Sequence, residues 1–285
     1  MIFHIEHTTR YYYSEPVKLE PMAVRLRPRA DRSQRLLVFE LNLDPAPASL
    51  TEISDLDGND TVLAWFSQAT TSLEISTRLQ AETLRTNPFD YLVLDASLMQ
   101  LPMRYPAEES GALLRYCLPS GDPAVATLAW EVLRSSGNSA PVFLTQLSER
   151  LASVVEGEVR LEGEPFAPAE TLRRGRGSCR DAALLFMDIC RSVGLAARFV
   201  SGYQEGDPEV EEKYLHAWAE VYLSRVGWRG FDPTLGLAVA DRHLALAVAS
   251  APGSTPPYDG SYRGTGVSSM KVDLQVKILP SEGFG

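Results

Sequence analysis

A strict alternation of side-chain character between residues 72 and 81 is the feature that most constrains this fold. Residues 73, 75, 77, 79 and 81 read Leu, Ile, Thr, Leu and Ala, while the even-numbered positions around them carry polar side chains. Successive side chains of a β-strand point to opposite faces, so a period of two predicts a strand with one buried face. Half-buried strands of this kind are typical of antiparallel sheets.

The rest of residues 1–86 shows the same character in shorter runs. The runs are separated by residues that form turns, such as Pro28 and the sequence Asp57-Gly58-Asn59. Several short strands at this spacing favour an antiparallel sandwich or barrel. We therefore predict an N-terminal β-sandwich-like domain over residues 1–86, with strands at Ile2–Tyr13, Met22–Arg27, Arg35–Leu43, Thr61–Phe66 and 72–81.

The pattern changes after Pro88, and we interpret residues 87–105 as a linker. Helices are predicted at Asp122–Ser136, with Asp122 as the N-cap, and at Ser139–Val155, where leucines recur at helical spacing. Strands follow further along, the last of them at Val272–Ile278. Residues 106–285 are therefore predicted to form a second domain of helices plus an antiparallel sheet, which makes the whole chain α+β.

The charge of the chain argues against two classes of partner. Its 285 residues include 27 Lys and Arg against 37 Asp and Glu, a net charge of −10. Binding to nucleic acid or to an anionic membrane needs clustered basic side chains, so neither is expected. No apolar run approaches the length of about 18 residues that crosses a bilayer. The N-terminal residues lack the basic and apolar regions of a signal peptide, so a cytoplasmic location is expected.

Three cysteines, Cys117, Cys179 and Cys190, limit the thiol chemistry. Their number is odd and they form no CxxC pair, which argues against a disulfide scaffold and against a zinc ribbon. A metal ion shared by His4 and His7 is not expected, because their odd spacing on a predicted strand points them to opposite faces. A single reactive thiol remains as the open option.

Cys179 stands where the start of a helix could activate it. The sequence Ser178-Cys179-Arg180-Asp181 is typical of a capping box, with Ser178 as N-cap and Asp181 at the third helical position, and Gly194 is expected to end the helix. Free N–H groups and the helix dipole stabilise an anion at this end, which favours the nucleophilic thiolate. The backbone N–H of Cys179 is also placed to bind an oxyanion. The alternative is a small buried apolar residue, which is how free cysteines usually behave.

A histidine and an aspartate further along the chain could assist such a thiolate. His216 and Asp232 lie on two predicted strands, His216–Leu223 and Trp228–Asp232, that a short turn joins. The carboxylate could fix the tautomer of the imidazole and stabilise the imidazolium, provided that both side chains share a face. A shared face requires an odd number of loop residues, three or five. The alternatives are a buried core histidine and a turn started by Asp232.

Other residues have both a catalytic and a structural interpretation. His243 is the rival candidate for the base, although an ordinary place at a strand end is the simpler interpretation. Trp218 and Tyr203 could line a substrate cleft beside the thiol, but aromatic side chains beside a core are more often packing residues. The acidic segment 205–212 could act as a lid, although such segments are more often solvated loops. Cys190 is interpreted as core packing.

Four motifs together resemble the transglutaminase-like core. They stand at 177–181 (GSCRD), 197–203 (ARFVSGY), 216–221 (HAWAEV) and 227–234 (GWRGFDPT), within a resemblance that covers residues 171–234. The resemblance implies a papain-like fold, with Cys179 as the nucleophile at the start of a helix and His216 and Asp232 on adjacent strands. N-terminal residues, among them Gln34 and Asn59, resemble the β-rich N-terminal region of bacterial transglutaminase-like proteins, a group described as candidate cysteine proteases.

We therefore predict an enzyme that attacks an amide or peptide carbonyl with the Cys179 thiolate, with His216 as general base and then acid and Asp232 as its orienting group. Water would resolve the thioester in a peptidase or amidohydrolase, and an amine would do so in a transglutaminase. Hydrolysis is favoured because water is always present. A protein-glutamine transglutaminase or deamidase, and a binding or scaffold protein without turnover, are the alternatives. No metal or organic cofactor is expected, the predicted partner is a peptide or amide substrate, and the oligomeric state stays open.

Overall fold

The computed structural model describes residues 1–161, 163–206 and 214–280. The alternating segment lies in a strand in which every odd-numbered residue from Leu73 to Thr83 is buried, as its pattern predicts. The strands of the N-terminal part are β1 (Ile2–Leu19), β2 (Met22–Val24), β3 (Gln34–Asp44), β4 (Ser49–Ser54), β5 (Asp60–Trp65) and β6 (Ala69–Thr83).

These strands form two antiparallel sheets that pack against each other. In one sheet β6 lies between β1 and β3, and in the other β5 lies between β2 and β4. Their apolar faces share one core, which includes Phe3 and Ile75 from the first sheet and Val62 from the second. Burial of such faces is the main force that holds two sheets together. The predicted sandwich-like arrangement is confirmed.

The second half of the chain places helices against one antiparallel sheet. The helices are α1 (Ala107–Leu113), α2 (Pro123–Ser135), α3 (Ala140–Val154), α4 (Pro168–Arg174) and α5 (Cys179–Ser192). The strands are β7 (Glu156–Gly157), β8 (Arg176–Gly177), β9 (Ala197–Gln204), β10 (His216–Leu223), β11 (Gly227–Asp232), β12 (Leu237–Ala238) and β13 (His243–Ala249). The strand order of the sheet is β12-β11-β10-β9-β13, and α5 packs against β9 and β10, where it buries side chains such as Phe186 in a shared core.

Local signals set the ends of these helices. Helix α2 begins after Asp122, whose carboxylate accepts hydrogen bonds from the first free N–H groups of the helix. Helix α3 begins after Ser139. Helix α5 is followed by Gly194 with a φ of 80°, a conformation that glycine adopts without strain. Both predicted helices and the predicted glycine stop are confirmed. In the described part of the chain, no helix is long and apolar enough to cross a membrane.

The C-terminal strands correct the predicted domain boundary. The segments β14 (Tyr258–Asp259), β15 (Tyr262–Arg263) and β16 (Ser268–Leu279) pair with β2 and β1 of the N-terminal sheets. The prediction that residues 106–285 form one domain is therefore wrong for this end of the chain. The reason is physical: a period of two predicts a strand, but it does not say which strand is its partner.

The predicted linker, residues 87–105, is partly folded and packs against the second half of the chain. It contains a short 3₁₀ helix, Ala96–Met99, and it buries Met99, Leu101 and Met103 in the core beneath the helices of the second half. The connection thus contributes to the packing of the second half.

Two side-chain amides of the N-terminal part bind the outer edge of β13. The Gln34 amide donates to the carbonyl of Ala245 (2.8 Å) and accepts from its N–H (2.9 Å). The Asn59 amide makes the same pair of bonds with Val248, both at 2.8 Å. An edge strand leaves backbone groups unpaired, and these amides satisfy them as a neighbouring strand would. The N-terminal part therefore fixes the position of β13.

Candidate active site

Cys179 is the first residue of α5, and Ser178 is the N-cap, as the sequence predicts. The Asp181 carboxylate accepts hydrogen bonds from the backbone N–H of Ser178 (2.7 Å) and from its hydroxyl (2.8 Å). The thiol of Cys179 is free and partly exposed. The N–H groups of the first helical turn have no intrahelical acceptor, so the site favours an anion at the sulfur.

A buried carboxylate two residues from that sulfur would oppose the anion if its charge were uncompensated. Asp181 is fully buried, and Arg160 donates to both of its oxygens, at 2.6 and 2.7 Å. Burial alone would raise the pKa of Asp181, but the bonds from Arg160, Ser178 and the backbone N–H of Phe166 lower it below its ordinary value. The pair is thus charge-neutral beside Cys179. The sequence gives no local signal for Arg160, which lies on a separate loop.

His216 and Asp232 meet on neighbouring strands. β10 and β11 are joined by residues 224–226, because Leu223 pairs with Gly227, so the loop has the predicted odd length. Continuing this register places Asp232 opposite Trp218, on the same face as His216. The Nε2 atom of His216 lies 2.7 Å from Oδ2 of Asp232.

The hydrogen bonds of His216 favour its charged form. Burial lowers the pKa of His216, but hydrogen bonds to the Asp232 carboxylate and to the Cys179 sulfur raise it more, to about 10. Since Nε2 is bonded to Asp232, Nδ1 is the ring nitrogen that is left for a second partner. An imidazolium at neutral pH beside a free thiol is the partner that a thiolate requires.

Asp232 both starts a turn and binds a histidine, so the structural and the catalytic interpretation of this residue apply at the same time. Its Oδ1 accepts from the N–H of Thr234 (2.9 Å) and of Leu235 (3.2 Å), which is the turn geometry of such a residue. Its Oδ2 accepts from His216 and from a second histidine, His243, at 2.9 Å. Burial would raise the pKa of Asp232, but the bonds from the two histidines hold it well below its usual range.

His243 is therefore not an ordinary strand-end residue. It is the first residue of β13, it is buried, and its ring lies against that of Trp218 with centroids 5.1 Å apart. From the sequence alone, His243 is only a rival candidate for the base. One signal in the sequence points to His243: it starts a predicted strand 11 residues after Asp232. This spacing does not reveal that β13 pairs with β9, on the side away from β10.

Trp218 and Tyr203, the predicted cleft residues, are both fully buried, and neither lines an open cleft. Trp218 stacks on His216, with ring centroids 6.2 Å apart. Tyr203 faces the N-terminal part, where its hydroxyl lies 2.9 Å from Nδ1 of His7. Gly202 lies inside β9, and the ring of Trp218 crosses over it.

The remaining thiols lie away from this arrangement. Cys190 lies on the buried face of α5, in the core, and burial raises the pKa of its thiol well above the ordinary value. Cys117 is half-buried, and burial raises its pKa as well. The predicted role of Cys190 in packing is confirmed. Residues 207–213 of the predicted acidic loop lie outside the described residues.

His216, Asp232 and His243 are also residue types that occur in metal sites, and their ligand atoms lie within 4.8 Å of one another. The separations of 2.7 and 2.9 Å between the ring nitrogens and Oδ2 are those of charge-assisted hydrogen bonds. Hydrogen bonding alone thus accounts for the geometry of the three side chains.

Comparison with known proteins finds relatives over nearly the whole chain. An uncharacterized protein of Mycobacterium tuberculosis is 26% identical over 301 residues, which span 99% of this chain and 93% of that protein. A short stretch is 35% identical over 69 residues to a protein-glutamine gamma-glutamyltransferase of Pseudomonas aeruginosa, and it spans 22% of this chain and 10% of that protein. The solved structure of a candidate cysteine protease from Cytophaga hutchinsonii has the same fold, with a TM-score of 0.70 at 19% identity over 100% of this chain and 93% of that one.

Two family models match successive parts of the chain. Residues 3–82 match the bacterial transglutaminase-like N-terminal region, and residues 126–233 match the transglutaminase-like superfamily. The second match contains Cys179, His216 and Asp232, and it ends at Pro233. The chain therefore combines a part that matches the bacterial transglutaminase-like N-terminal region with a part that matches the transglutaminase-like superfamily.

Proposed function

We propose that the chain is a cysteine peptidase or amidohydrolase that works through a Cys179 thioester. The observation that carries the proposal is the 2.7 Å bond between His216 and Asp232, in a chain whose Cys179 is the first residue of a helix. The influence of Cys179 on the pKa of His216 supports it. A thiolate, an imidazolium and an orienting carboxylate are the parts that nucleophilic attack on an amide needs.

The chemical steps follow from these positions. The Cys179 sulfur attacks the carbonyl carbon, and the resulting oxyanion is bound by the backbone N–H of Cys179 at the start of α5. His216 gives its Nδ1 proton to the leaving nitrogen as the C–N bond breaks, which leaves a thioester. His216 then takes a proton from water, the water oxygen attacks the thioester, and the carboxylic product leaves as the Cys179 thiolate returns.

Asp232 acts on this cycle without exchanging a proton. Because the pKa of Asp232 is held below its usual range, its carboxylate stays ionised and stabilises the imidazolium in each half of the reaction. The bond to Nε2 fixes the ring so that Nδ1 faces the sulfur.

Transfer to an amine is the second candidate, and it is supported by the short stretch of similarity to the protein-glutamine gamma-glutamyltransferase of Pseudomonas aeruginosa. The two outcomes share every step up to the thioester and differ only in the nucleophile that resolves it. Hydrolysis needs water alone, whereas transfer needs a second binding site for the amine.

A peptide library assayed with and without a primary amine tests the proposal. We expect the wild type to release carboxylic products, and we expect Cys179→Ala to release none. A product that carries the amine in place of the carboxylate would assign the transferase instead. Full activity of Cys179→Ala would contradict a thioester on Cys179. A wild type that is inert on every acyl substrate would contradict an enzyme and favour a binding protein with the same fold.

A further inference from the structure

His243 makes one specific polar contact inside the candidate site. Its Nε2 lies 2.9 Å from Oδ2 of Asp232, the same oxygen that accepts from His216, and both His243 and Asp232 are buried. The other six residues of β13 are Leu, Ala and Val, and all of them are buried. His243 is thus the polar side chain of this strand. A buried histidine whose bond goes to an ionised carboxylate has a defined electrostatic task.

The hydrogen bonds of Asp232 show what that task is. An ionised carboxylate has about four acceptor positions. The backbone N–H groups of Thr234 and Leu235 occupy the two on Oδ1, and the two histidines occupy the two on Oδ2. Removal of His243 would leave one acceptor of a fully buried charge without a donor, which is costly in a low-dielectric interior.

The bonding also defines the protonation of His243. An ionised carboxylate only accepts, so the proton between the two groups belongs to Nε2 of His243. In the described structure the Nδ1 atom of His243 is buried without a hydrogen-bond partner. The bond to Asp232 therefore uses the Nε2 proton, and Nδ1 takes no part in it. His216 uses both of its nitrogens and can exchange protons, whereas His243 cannot pass one on.

Two features of the fold hold His243 in this place. Gln34 and Asn59 fix the outer edge of β13 from the N-terminal part. Gly202 has no side chain, so the ring of Trp218 can lie over β9 and against the ring of His243. The charged groups that face or flank His243 are Asp232 and His216 across the site and, beside it on the chain, Arg242, which pairs with Glu205 at the surface.

We propose that His243 is a positioning residue: its Nε2–H fills the last acceptor of Asp232, fixes the orientation of that carboxylate toward His216, and so keeps the Cys179–His216 pair in its charged form. The inference rests on the proposed function, because it assigns a further residue to the same site. It also links the N-terminal part to the site, because Gln34 and Asn59 bind the strand that carries His243.

The test measures how fast Cys179 is alkylated by iodoacetamide between pH 4 and 10 in the full chain, with the labelled site read by mass spectrometry. The variants are His243→Ala, His243→Gln and His243→Asn. The Gln side chain places an amide N–H near the position of Nε2, whereas the shorter Asn side chain cannot reach Asp232. His7→Ala, which removes a buried histidine from the N-terminal part, is the matched control, and urea unfolding of each variant shows its folded fraction.

We expect the acid limb of the alkylation profile to move up by one pH unit in His243→Ala, which is about a tenfold lower rate on that limb. His243→Asn should behave like His243→Ala, and His243→Gln should return to within half a pH unit, about threefold. His7→Ala should keep the wild-type profile. A residue that acts only in packing would change the free energy of unfolding and leave the profile in place.

The other possible outcomes separate the role of His243 from the proposed function. An unchanged profile in His243→Ala, or equal loss in the Gln and Asn variants, overturns the role of His243 while the proposed function stands. A profile that responds to His243 in a chain that forms no acyl-enzyme contradicts the proposed function and keeps the role. A wild-type Cys179 no faster than Cys117 near neutral pH overturns both. Loss of the wild-type profile on addition of EDTA also overturns the role, because a metal ion would then join the three side chains.

Discussion

The side-chain amide of Asn59 and the backbone of Val248 exchange two hydrogen bonds of 2.8 Å, although the two residues are 189 positions apart in the chain. The pair joins the N-terminal β-sheets to the edge strand that starts at His243. It is a side-chain substitute for a strand neighbour, and it lies in the motif Asp57-Gly58-Asn59 that the sequence had suggested only as a turn and as a family resemblance.

Asn59→Ala should therefore destabilise the chain. The change leaves both the N–H and the carbonyl of Val248 buried without their partner, and we expect a loss of about 3 kcal/mol in the free energy of unfolding. Urea unfolding measures it. Asn42→Ala, at an exposed position of β3, is the matched control and should change little. Equal effects of the two substitutions would show that the Asn59 contact contributes nothing specific.

Arg160→Met should destabilise the start of α5. The substitution keeps the length of the side chain but leaves the fully buried Asp181 carboxylate without its charged partner, at a cost of about 3 kcal/mol. Arg173→Met is the control, since Arg173 is largely exposed and pairs with Glu170 at the surface. Urea unfolding should separate the two variants clearly. Wild-type stability in Arg160→Met would mean that water replaces the guanidinium at Asp181.

Gly202→Ala should disturb the packing beneath the two histidines. A Cβ at this position would lie 2.2 Å from the carbonyl oxygen of Leu244 and 2.6 Å from Cη2 of Trp218, so a backbone strand or the indole must move. We expect a destabilisation of about 2 kcal/mol. Gly111→Ala provides the contrast, because its Cβ meets nothing within 4 Å and alanine favours the helix by about 0.8 kcal/mol. Thermal unfolding should shift in opposite directions for the two variants.

The sequence predicts the parts of this site that depend on neighbouring residues, and it does not predict the parts that depend on contacts between distant segments. The capping box at Cys179 and the odd loop between His216 and Asp232 are local patterns, and the structure contains both. The bond of His243 to Asp232 and the pairing of β16 with β1 depend on which distant strands become neighbours. Periodicity states the face of a strand but not its partner, so these contacts could not be predicted.

Burial lowers the pKa of His7 as it does that of His216, but no charged partner among the described residues offsets it at His7. The pKa of His7 is lowered by burial to about 4, so His7 stays neutral in the fold while the unfolded chain takes up a proton near 6.5. The unfolded state therefore binds more protons between pH 6.5 and 4. The stability that His7 contributes is complete above pH 6.5 and is lost as the pH falls through this interval, by about 3 kcal/mol.

His7→Asn should remove this part of the acid sensitivity. The Asn amide can replace Nδ1 as the partner of the Tyr203 hydroxyl, but it does not titrate. The free energy of unfolding measured in urea at pH 4, 5, 6 and 7 should fall less steeply in the variant than in the wild type. Parallel curves for the two proteins would show that His7 is protonated without cost in the folded chain.

The central claim is that Cys179 reacts as a thiolate paired with the His216 imidazolium, and the pH dependence of alkylation tests it most directly. Iodoacetamide labelling followed by mass spectrometry compares Cys179 with Cys117, whose pKa is raised by burial, within the same molecule. We predict that at pH 6 Cys179 labels at least about tenfold faster than Cys117 and that His216→Ala removes this advantage. Equal labelling of the two thiols at pH 6, or an unchanged Cys179 rate in His216→Ala, would contradict the claim.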